Sequence, residues 1–438
     1  MSSIDLSHYM KALKDSNPFR VYGRVVEITG MLIKSAGLKA SVGEACKICC
    51  DNHPPIDAEI VGFKDGKELL MATGDISWVK PGSRVLPMGR KVSIKVGGDL
   101  IGRVINESGV PIDGKGPING INYPIFEVPS NPLSKERIRD VIDMGVSTIN
   151  GLLTCGKGQR IGIMSAAGVG KSVLMGMIAK YTKADVNVIA LVGERSREVR
   201  EFIERDLGQE GMQRSVVVVS TSEQSPVAKV KGAFVATAIA SYFRSIQKDC
   251  LLFMDSLTRV AMAQREIGLA IGEPPASKGY TPSVFALLPK LLERAGTATG
   301  KGSVTGIYTV LVEGDDIADP VADAVMSILD GHIILSRALA MENHYPAIDI
   351  LRSISRIMTD IIDDEHKMLA GKFIETLATY KRFEDMINLG AYKEGSNPKV
   401  DYSIAMLDTL NKYTRQLMNE KSDFNNSIAN LRQLFAGH

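Results

Sequence analysis

The spacing of apolar residues changes along the chain and divides it into four regions. The first, residues 1–18, carries apolar side chains near helical spacing, at Ile4, Leu6, Tyr9, Met10 and Leu13. It ends at an Asn17-Pro18 breaker, so we predict a short amphipathic N-terminal helix. Such a helix either packs on its own domain or docks on a partner coil.

The second region, residues 19–97, has short apolar or alternating runs separated by glycine, proline and Asp-Gly turns. Such alternation over short segments is typical of a small all-β barrel. The predicted strands are Val21–Ile28, Ala58–Phe63, Glu68–Met71, Arg84–Pro87 and Lys91–Val96.

The third region, residues 98–360, alternates apolar, β-rich runs with helical stretches, which predicts a parallel sheet with helices on both faces. The predicted strands are Arg160–Ser165, Val186–Val192, Val216–Ser220, Leu251–Asp255, Val304–Leu311 and His332–Ser336. In the fourth region, residues 361–438, helical spacing over Lys367–Leu389 and Ser403–Phe435 predicts a C-terminal helical domain. The predicted fold class is therefore α/β, with a β-barrel before the sheet and helices after it.

Composition agrees with a soluble globular protein of two or three domains, since 45% of the 438 residues are hydrophobic and 23% are charged. The 52 basic and 50 acidic residues leave a net charge of +2, so the overall balance does not demand nucleic acid or anionic lipid as a partner. The start of the sequence lacks the layout of a secretory signal, and no run of 18 apolar residues could span a bilayer. We expect a cytoplasmic protein.

Three of the five cysteines, Cys46, Cys49 and Cys50, lie close together with His53 following. A structural zinc site would need a second ligand pair at a defined spacing, which the sequence does not offer. A strand with small buried thiols is the simpler interpretation, and the odd cysteine count suits a reducing compartment.

A glycine-rich turn, Gly168-Val-Gly-Lys-Ser172, lies between the apolar run Arg160–Ser165 and a helical stretch. Strand, glycine-rich turn and helix in this order are the context of a phosphate-binding loop. The glycines let backbone N–H groups converge on phosphates, Lys171 adds positive charge, and the Ser172 hydroxyl can reach Mg²⁺. Ser165 stands where the usual pattern has its first glycine. The alternative is a chance turn that binds no nucleotide.

Two acidic residues end apolar runs, at the positions where ligands bind in open α/β sheets. Asp255 closes the run Cys250–Asp255, as a Walker-B carboxylate that orients Mg²⁺ does; alternatively it caps the next helix. Glu194 follows Val186–Val192 and would polarise the attacking water, with Arg195 holding the transferred phosphoryl group. The alternative for Glu194 is an acid that only complements a helix N-terminus.

Eight short motifs are specific enough to compare with known families: Gly168-Val-Gly-Lys-Ser172, Val192-Gly-Glu-Arg195, Asp255-Ser-Leu-Thr-Arg259, Gly279-Tyr-Thr-Pro-Ser283, Glu313-Gly-Asp-Asp316, Leu329-Asp-Gly-His332, His344-Tyr-Pro-Ala-Ile-Asp349 and Ser353-Ile-Ser-Arg356. Together they resemble the export ATPases of flagella and type III secretion systems, which are related to the catalytic subunit of rotary ATP synthases. The resemblance covers nearly the whole chain. It implies a RecA-like parallel-sheet P-loop NTPase core with an N-terminal β-barrel and a C-terminal α-helical domain.

The resemblance also implies roles for single residues. Lys171 and Ser172 would contact the β/γ-phosphates and Mg²⁺, Asp255 would be the metal-binding Walker-B acid, and Glu194 would be the catalytic glutamate that positions water. The nucleotide-binding loop would consist of Ala167, Gly168, Val169, Gly170, Lys171, Ser172 and Val173.

Two further residues gain a role only through the resemblance. Tyr345 would stack on adenine, a task that suits an aromatic face; otherwise it is a packing residue. Arg356 would be an arginine finger that acts in the nucleotide site of a neighbouring subunit. Without the resemblance, such an arginine is more simply a surface ion pair.

The implied cofactors are ATP and Mg²⁺, and the implied assembly is a homo-oligomer, a hexameric ring. Implied partners are a regulatory stator-like coiled-coil protein, a central stalk-like protein, export chaperone–substrate complexes and the membrane export gate, with the protein on the inner face of the cell membrane. The favoured function is Mg-ATP hydrolysis for flagellar protein export. A virulence-type secretion ATPase and a rotary ATP synthase catalytic subunit are the alternatives in related families.

Two more distant alternatives remain open. An RNA translocase would need a basic barrel face with exposed stacking aromatics, and the barrel has few aromatics, among them Tyr22, Phe63 and Trp78. We therefore expect no nucleic acid partner. A structural ring subunit that holds nucleotide without turning it over is the non-enzymatic alternative.

Overall fold

The computed structural model describes Met10 and residues 21–126, 131, 133, 135–300, 302–312 and 319–436. The predicted N-terminal helix, apart from Met10, and the motif Glu313–Asp316 lie outside the described residues. The chain divides into two compact units, Met1–Val92 and Ser93–His438. The domain limits 1–18, 19–97, 98–360 and 361–438 stay predictions from the sequence.

The first unit contains a closed antiparallel barrel. Its strands are β1 (Gly23–Thr29), β2 (Leu32–Ala36), β3 (Glu44–Cys49), β4 (Ile56–Lys64), β5 (Lys67–Ala72) and β6 (Arg84–Lys91). Their spatial order is β1-β2-β5-β4-β3-β6. Alternate side chains of each strand point inward, so Ile33, Ile48, Ile60 and Leu70 fill the centre of the barrel without exposure to solvent. The predicted barrel is therefore confirmed, although the apolar pattern missed β2. The predicted barrel strand Lys91–Val96 is wrong: residues Ser93–Val96 form a strand that pairs with Ile121–Pro124 in a separate two-stranded sheet.

The cysteine cluster lies on and just after β3. Cys46 is buried in the barrel core, and this burial raises the pKa of its thiol to about 12. The prediction of a strand with buried thiols is confirmed for Cys46, whereas Cys49 is half-buried and the buried Cys50 follows the strand.

The aromatic residues that were considered for nucleic-acid stacking, Tyr22, Phe63 and Trp78, are all exposed. Trp78 is stacked on the imidazole of His53, with ring centroids 3.9 Å apart. The expectation that no nucleic acid binds here stays a prediction.

The second unit is built on a mostly parallel sheet. The strands of the second unit, not all of them in this sheet, are β7 (Ser93–Val96), β8 (Val104–Asn106), β9 (Ile121–Pro124), β10 (Val141–Ile142), β11 (Cys155–Gly156), β12 (Arg160–Ser165), β13 (Val186–Val192), β14 (Ser215–Ser220), β15 (Cys250–Asp255), β16 (Gly296–Thr297), β17 (Ser303–Leu311), β18 (Gly331–Leu335) and β19 (Ile348–Ser355). The main sheet has the order β19-β18-β12-β17-β15-β13-β14-β8. Its neighbours are parallel except β19, which runs antiparallel to β18; the short β16 pairs antiparallel with β17.

All the strands predicted for this region are present, and their limits agree within one residue. They were recognisable because strands buried on both faces of a parallel sheet form continuous apolar runs. The predicted α/β fold class with an N-terminal barrel is confirmed.

The α-helices of the described residues are α1 (Ser147–Leu152), α2 (Lys171–Tyr181), α3 (Ser196–Glu201), α4 (Gly208–Met212), α5 (Pro226–Ser245), α6 (Leu257–Ile271), α7 (Pro282–Leu292), α8 (Pro320–Ile328), α9 (Arg337–Met341), α10 (Met358–Ile361), α11 (Asp364–Asn388), α12 (Pro398–Thr414) and α13 (Phe424–Phe435). The described residues also form a π-helical turn, Phe202–Leu207, and 3₁₀ turns at Gly98–Leu100 and Ser277–Gly279. Within this part of the chain, no helix is long and apolar enough to cross a membrane.

The C-terminal helical region forms as predicted, but the stretch predicted as one helix over Ser403–Phe435 is two helices, α12 and α13. Gln416 turns its side chain inward, where it accepts a hydrogen bond from Ser147 N at 2.8 Å and donates one to Gly145 O at 2.9 Å. Asp423 then caps α13 by accepting a hydrogen bond from Asn426 N. Both contacts favour a break between the helices.

Candidate active site

The phosphate-binding loop connects β12 to α2 at the carboxyl edge of the sheet, the edge where β12, β13 and β15 end. Gly168 and Gly170 have φ values of +80° and +90°, in the left-handed region that favours glycine. Lys171 is the first residue of α2, so the loop backbone and the helix N-terminus face the same point. Free N–H groups at that point suit an anion.

Three predicted residues meet beside this loop. Lys171 Nζ lies 2.5 Å from Asp255 Oδ1, at the end of β15, and 3.9 Å from Glu194 Oε1, just after β13. All three side chains are largely buried. Two carboxylates thus converge on one ammonium group, as the sequence interpretation required of a site for a phosphate chain and a metal.

The carboxyl group of Glu194 has an unusual proton affinity. Burial and the nearby charge of Asp255 raise its pKa from 4.5 to about 7, against the opposing effect of Lys171. A hydrogen bond with Glu198 contributes, and the pKa of Glu198 is lowered by that bond. Glu194 therefore holds a proton more readily than an ordinary glutamate and titrates in the range where a general base is useful.

Asp255 has a further partner that the sequence interpretation missed. Thr309 lies on β17, between β12 and β15, and its hydroxyl donates a hydrogen bond of 2.7 Å to Asp255 Oδ1. A threonine within an apolar strand looks like a core residue, so its only signal in the sequence is polarity within a buried run.

Arg259 is a second residue to which the sequence interpretation gave no role, although it ends the motif Asp255-Ser-Leu-Thr-Arg259. A Cβ atom on Gly193 would lie 2.7 Å from the Cβ of Arg259, so this arginine packs closely on the turn that leads to Glu194. Its side chain is exposed.

The donor set at this edge fits Mg²⁺, which prefers oxygen ligands and keeps several waters. Ser172 offers a hydroxyl and Asp255 a carboxylate. Among the described residues, no group of three or more His, Cys, Asp or Glu side chains could hold a metal by itself.

Tyr345 lies against the phosphate-binding loop. A Cβ atom on Gly170 would be 3.3 Å from Cε1 of the Tyr345 ring, and the side chain is 41% exposed. Its backbone oxygen accepts a hydrogen bond of 3.0 Å from Gln416 N, in the segment after α12. The C-terminal region thus supports an accessible aromatic ring beside the loop.

The two predicted arginines are not part of this cluster. Arg195 is exposed, and its Nη1 donates to Glu198 Oε1 at 3.2 Å. Arg356 follows β19 at the opposite, amino edge of the sheet, where β12, β15 and β18 begin. There its backbone N–H donates to Asp330 O at 3.0 Å and its Nη1 to Leu329 O at 3.3 Å.

Comparison with known proteins gives matches along the second unit. Residues 145–355 match the nucleotide-binding domain of the ATP synthase alpha/beta family. Residues 362–433 match the T3SS EscN ATPase C-terminal domain. The core is thus of the ATP synthase alpha/beta type, whereas the C-terminal region is of the type III secretion ATPase type.

Full-length relatives agree. The flagellum-specific ATP synthase of Bacillus subtilis is 50% identical over 96% of both chains, and the type 3 secretion system ATPase of Xanthomonas euvesicatoria is 46% identical over 93% of both chains. Among solved structures, the assembled ATPase EscN of enteropathogenic E. coli has a TM-score of 0.89 and 42% identity, covering 94% of this chain and 100% of that chain. EscN in complex with its central stalk EscO has a TM-score of 0.87 and 41% identity, with the same coverage. The chain is therefore an ATP-hydrolysing enzyme that belongs to the family of flagellar and type III secretion ATPases.

Proposed function

We propose that the chain is the Mg-ATP-hydrolysing subunit of a flagellar protein export apparatus, where it energises chaperone release, unfolding or loading of export substrates. The observation that carries this proposal is the convergence of Lys171, Glu194 and Asp255 beside the phosphate-binding loop. The flagellar assignment is supported by the 50% identity to a flagellum-specific relative. A secretion relative at 46% identity keeps the virulence-type system as the second candidate.

In this proposal the loop Ala167–Val173 binds the phosphate chain through backbone N–H groups, and Lys171 shifts its ammonium between Asp255 and the β/γ-phosphates. Ser172 and Asp255 would hold Mg²⁺, which when bound neutralises charge on the phosphate oxygens. Binding and orientation, rather than covalent chemistry, are the tasks of these residues.

Glu194 positions the attacking water and accepts a hydrogen bond from it. A carboxylate with a pKa of about 7 is a better proton acceptor than an ordinary glutamate while still ionised in a large fraction near neutral pH. Arg195, the residue after Glu194, would leave its ion pair with Glu198 to contact the transferred phosphoryl group.

Arg356 serves the site of a neighbouring subunit. Strand β19 runs from the carboxyl edge to the amino edge, and its eight residues span about 26 Å at roughly 3.3 Å each. Arg356 therefore lies far from the phosphate-binding loop of its own chain. A role in phosphoryl transfer requires that it act across a subunit boundary, which supports a homo-oligomeric, hexameric ring.

Tyr345 would stack on the adenine of ATP. Its ring is exposed and lies beside Gly170, at the position where a nucleotide bound by the phosphates would extend. An aromatic face in that place favours a flat base.

The proposed partners are a central stalk-like protein, a stator-like coiled-coil regulator, chaperone–substrate complexes and the membrane export gate, with no nucleic acid. EscN, which this chain resembles over 94% of its length, has been solved in complex with its central stalk EscO, and this supports the stalk assignment. We place the protein in the cytoplasm, bound peripherally at the inner face of the membrane.

The test is the variant Glu194→Gln, with Glu204→Gln as a control because Glu204 is an exposed residue close in sequence. Glu194→Gln should lower steady-state phosphate release about 10²- to 10⁴-fold while ATP affinity is retained. Equal phosphate release from Glu194→Gln and the parent would show that the catalytic assignment is wrong. In a flagellated bacterium without its own export ATPase, the parent chain but not Glu194→Gln should restore swimming.

A further inference from the structure

The hydroxyl of Thr309 is committed to the Walker-B carboxylate. Thr309 has no exposure to solvent, and its Oγ1 lies 2.7 Å from Asp255 Oδ1 and 3.3 Å from Met254 O. A hydroxyl has one proton to donate. The shorter contact to a charged acceptor takes it, because hydrogen bonds to ionised groups are the stronger ones.

The two donors to Asp255 differ in what they do to its charge. Lys171 Nζ also contacts Oδ1, but as a cation it cancels the negative charge, and it is required by the phosphates as well. Thr309 is neutral and fixed within β17, so it can hold the carboxylate without removing the charge. Both of these donors bind Oδ1, and among the described residues no donor binds Oδ2, so Oδ2 would be available to a metal ion.

We propose that Thr309 is a positioning residue for magnesium: its hydroxyl holds Oδ1 of Asp255 so that Oδ2 is presented to the Mg²⁺ of Mg-ATP. The inference rests on the proposed role of Asp255 as the metal carboxylate. Partners of this kind orient metal ligands in many proteins, and their loss commonly weakens metal binding ten- to a hundredfold.

The experiment measures the equilibrium affinity of the full-length protein for a non-hydrolysable ATP analogue, with Mg²⁺ and with EDTA in its place. The ratio of the two affinities isolates the metal-dependent part of binding. Thr309→Val removes the hydroxyl at nearly constant volume, Thr309→Ala removes it at a smaller volume, and Thr309→Ser retains it. Thr305→Val is the matched control, since Thr305 is a fully buried threonine on the same strand whose hydroxyl binds Gly158 N instead.

We expect the affinity ratio of Thr309→Val and Thr309→Ala to fall about ten- to a hundredfold relative to the parent. Thr309→Ser and Thr305→Val should keep the ratio of the parent, and affinity in EDTA should be the same in all four variants. A ratio unchanged in both Val and Ala variants of Thr309 would overturn the proposal. So would a fall of equal size in Thr309→Ser or in Thr305→Val, since either result indicates a structural effect.

Asp255→Asn separates this inference from the proposed function on which it rests. If Asp255→Asn keeps the ratio of the parent, Asp255 is not the metal carboxylate and the proposed site is itself wrong. If Asp255→Asn loses the ratio but the Thr309 variants keep it, only the role of Thr309 is wrong. When both are correct, Thr309→Val added to Asp255→Asn causes no further loss, because the two residues act through one contact.

Discussion

The two edges of the sheet in the second unit differ in how their acidic side chains are paired with cations. At the amino edge, Arg160 donates from Nε to Asp330 Oδ2 and from Nη2 to Asp330 Oδ1, each at 3.0 Å, and it also pairs with Glu293. Lys135 adds a second cation to Glu293. At the carboxyl edge, two acids share the single ammonium of Lys171.

The proton affinities follow this difference. Burial alone would raise the pKa of Glu293, but hydrogen bonds from Lys135 and Arg160 outweigh it and the pKa is lowered. At the carboxyl edge burial prevails, and the pKa of Glu194 is raised. Paired charges thus stabilise one edge, whereas the other keeps Glu194, an acid that ionises at a cost, which is typical of a site built for chemistry.

The largest expected effect tests whether the amino edge also takes part in catalysis. Arg356→Ala should lower turnover roughly 10³-fold or more, because charge developing on the phosphoryl group loses its neutralising partner. ATP affinity should be retained, and the rise of specific activity with protein concentration should disappear. Phosphate release measured over a range of protein concentrations checks both statements.

Arg352→Ala is the matched control for this prediction, since Arg352 is an exposed arginine on β19, four residues before Arg356. It should behave as the parent does. Unchanged hydrolysis in Arg356→Ala would remove the shared-site interpretation and restrict the amino edge to a structural role.

A smaller effect is expected from Asp330→Asn, which removes the carboxylate partner of the largely buried Arg160. Loss of hydrogen bonds between charged groups should destabilise the fold by about 1–3 kcal/mol, seen as a lower denaturant midpoint. Nucleotide affinity should stay the same, because the change lies at the amino edge. Asp255→Asn should show the reverse pattern, and similar behaviour of the two variants would contradict the division between the edges.

The smallest effect concerns stability and pH. Glu194 is harder to ionise in the folded chain, so the folded state keeps a proton that the unfolded state releases between pH 4.5 and about 7. Stability due to this group therefore falls as pH rises through that window and is constant above it. Glu194→Gln mimics the protonated form and should be free of this loss.

Thermal midpoints of the parent and Glu194→Gln should thus be equal below pH 4.5, separate as pH rises to about 7, and remain separated above it, with the variant more stable. Melting curves at a series of pH values measure the difference. A constant difference at all pH values would mean that the proton affinity of Glu194 is ordinary.

The sequence predicted those parts of the fold and site that depend on local pattern. The strands β12 and β13 were predicted with correct limits because both faces are buried and their sequences are continuously apolar. The tight turn at residues 168–170 was predictable because positive φ values favour glycine, and Gly168 and Gly170 both have such values. By contrast, β2 contains a lysine and a serine among its apolar residues, so no clear alternation marks it, and β3 was predicted only from its cysteines.

What could not be predicted depends on strand order. Thr309 reaches Asp255 only because β17 lies beside β15, a pairing between segments more than fifty positions apart in the chain. The distance between Arg356 and its own phosphate-binding loop likewise follows from the antiparallel direction of β19, which the sequence pattern did not reveal. Spacing along the chain indicates which residues are chemically suitable, and topology decides which of them meet.

The antiparallel direction of β19 bears on how much ATP the cell loses to subunits that are not yet assembled. If Arg356 acts in the site of a neighbouring subunit, as proposed, its place at the far edge means that an unassembled copy could bind ATP but would lack a group needed to cleave it. Free copies would then hydrolyse little ATP, and hydrolysis would begin only where copies assemble into a closed ring. The direction of one strand would thereby limit ATP hydrolysis by unassembled subunits.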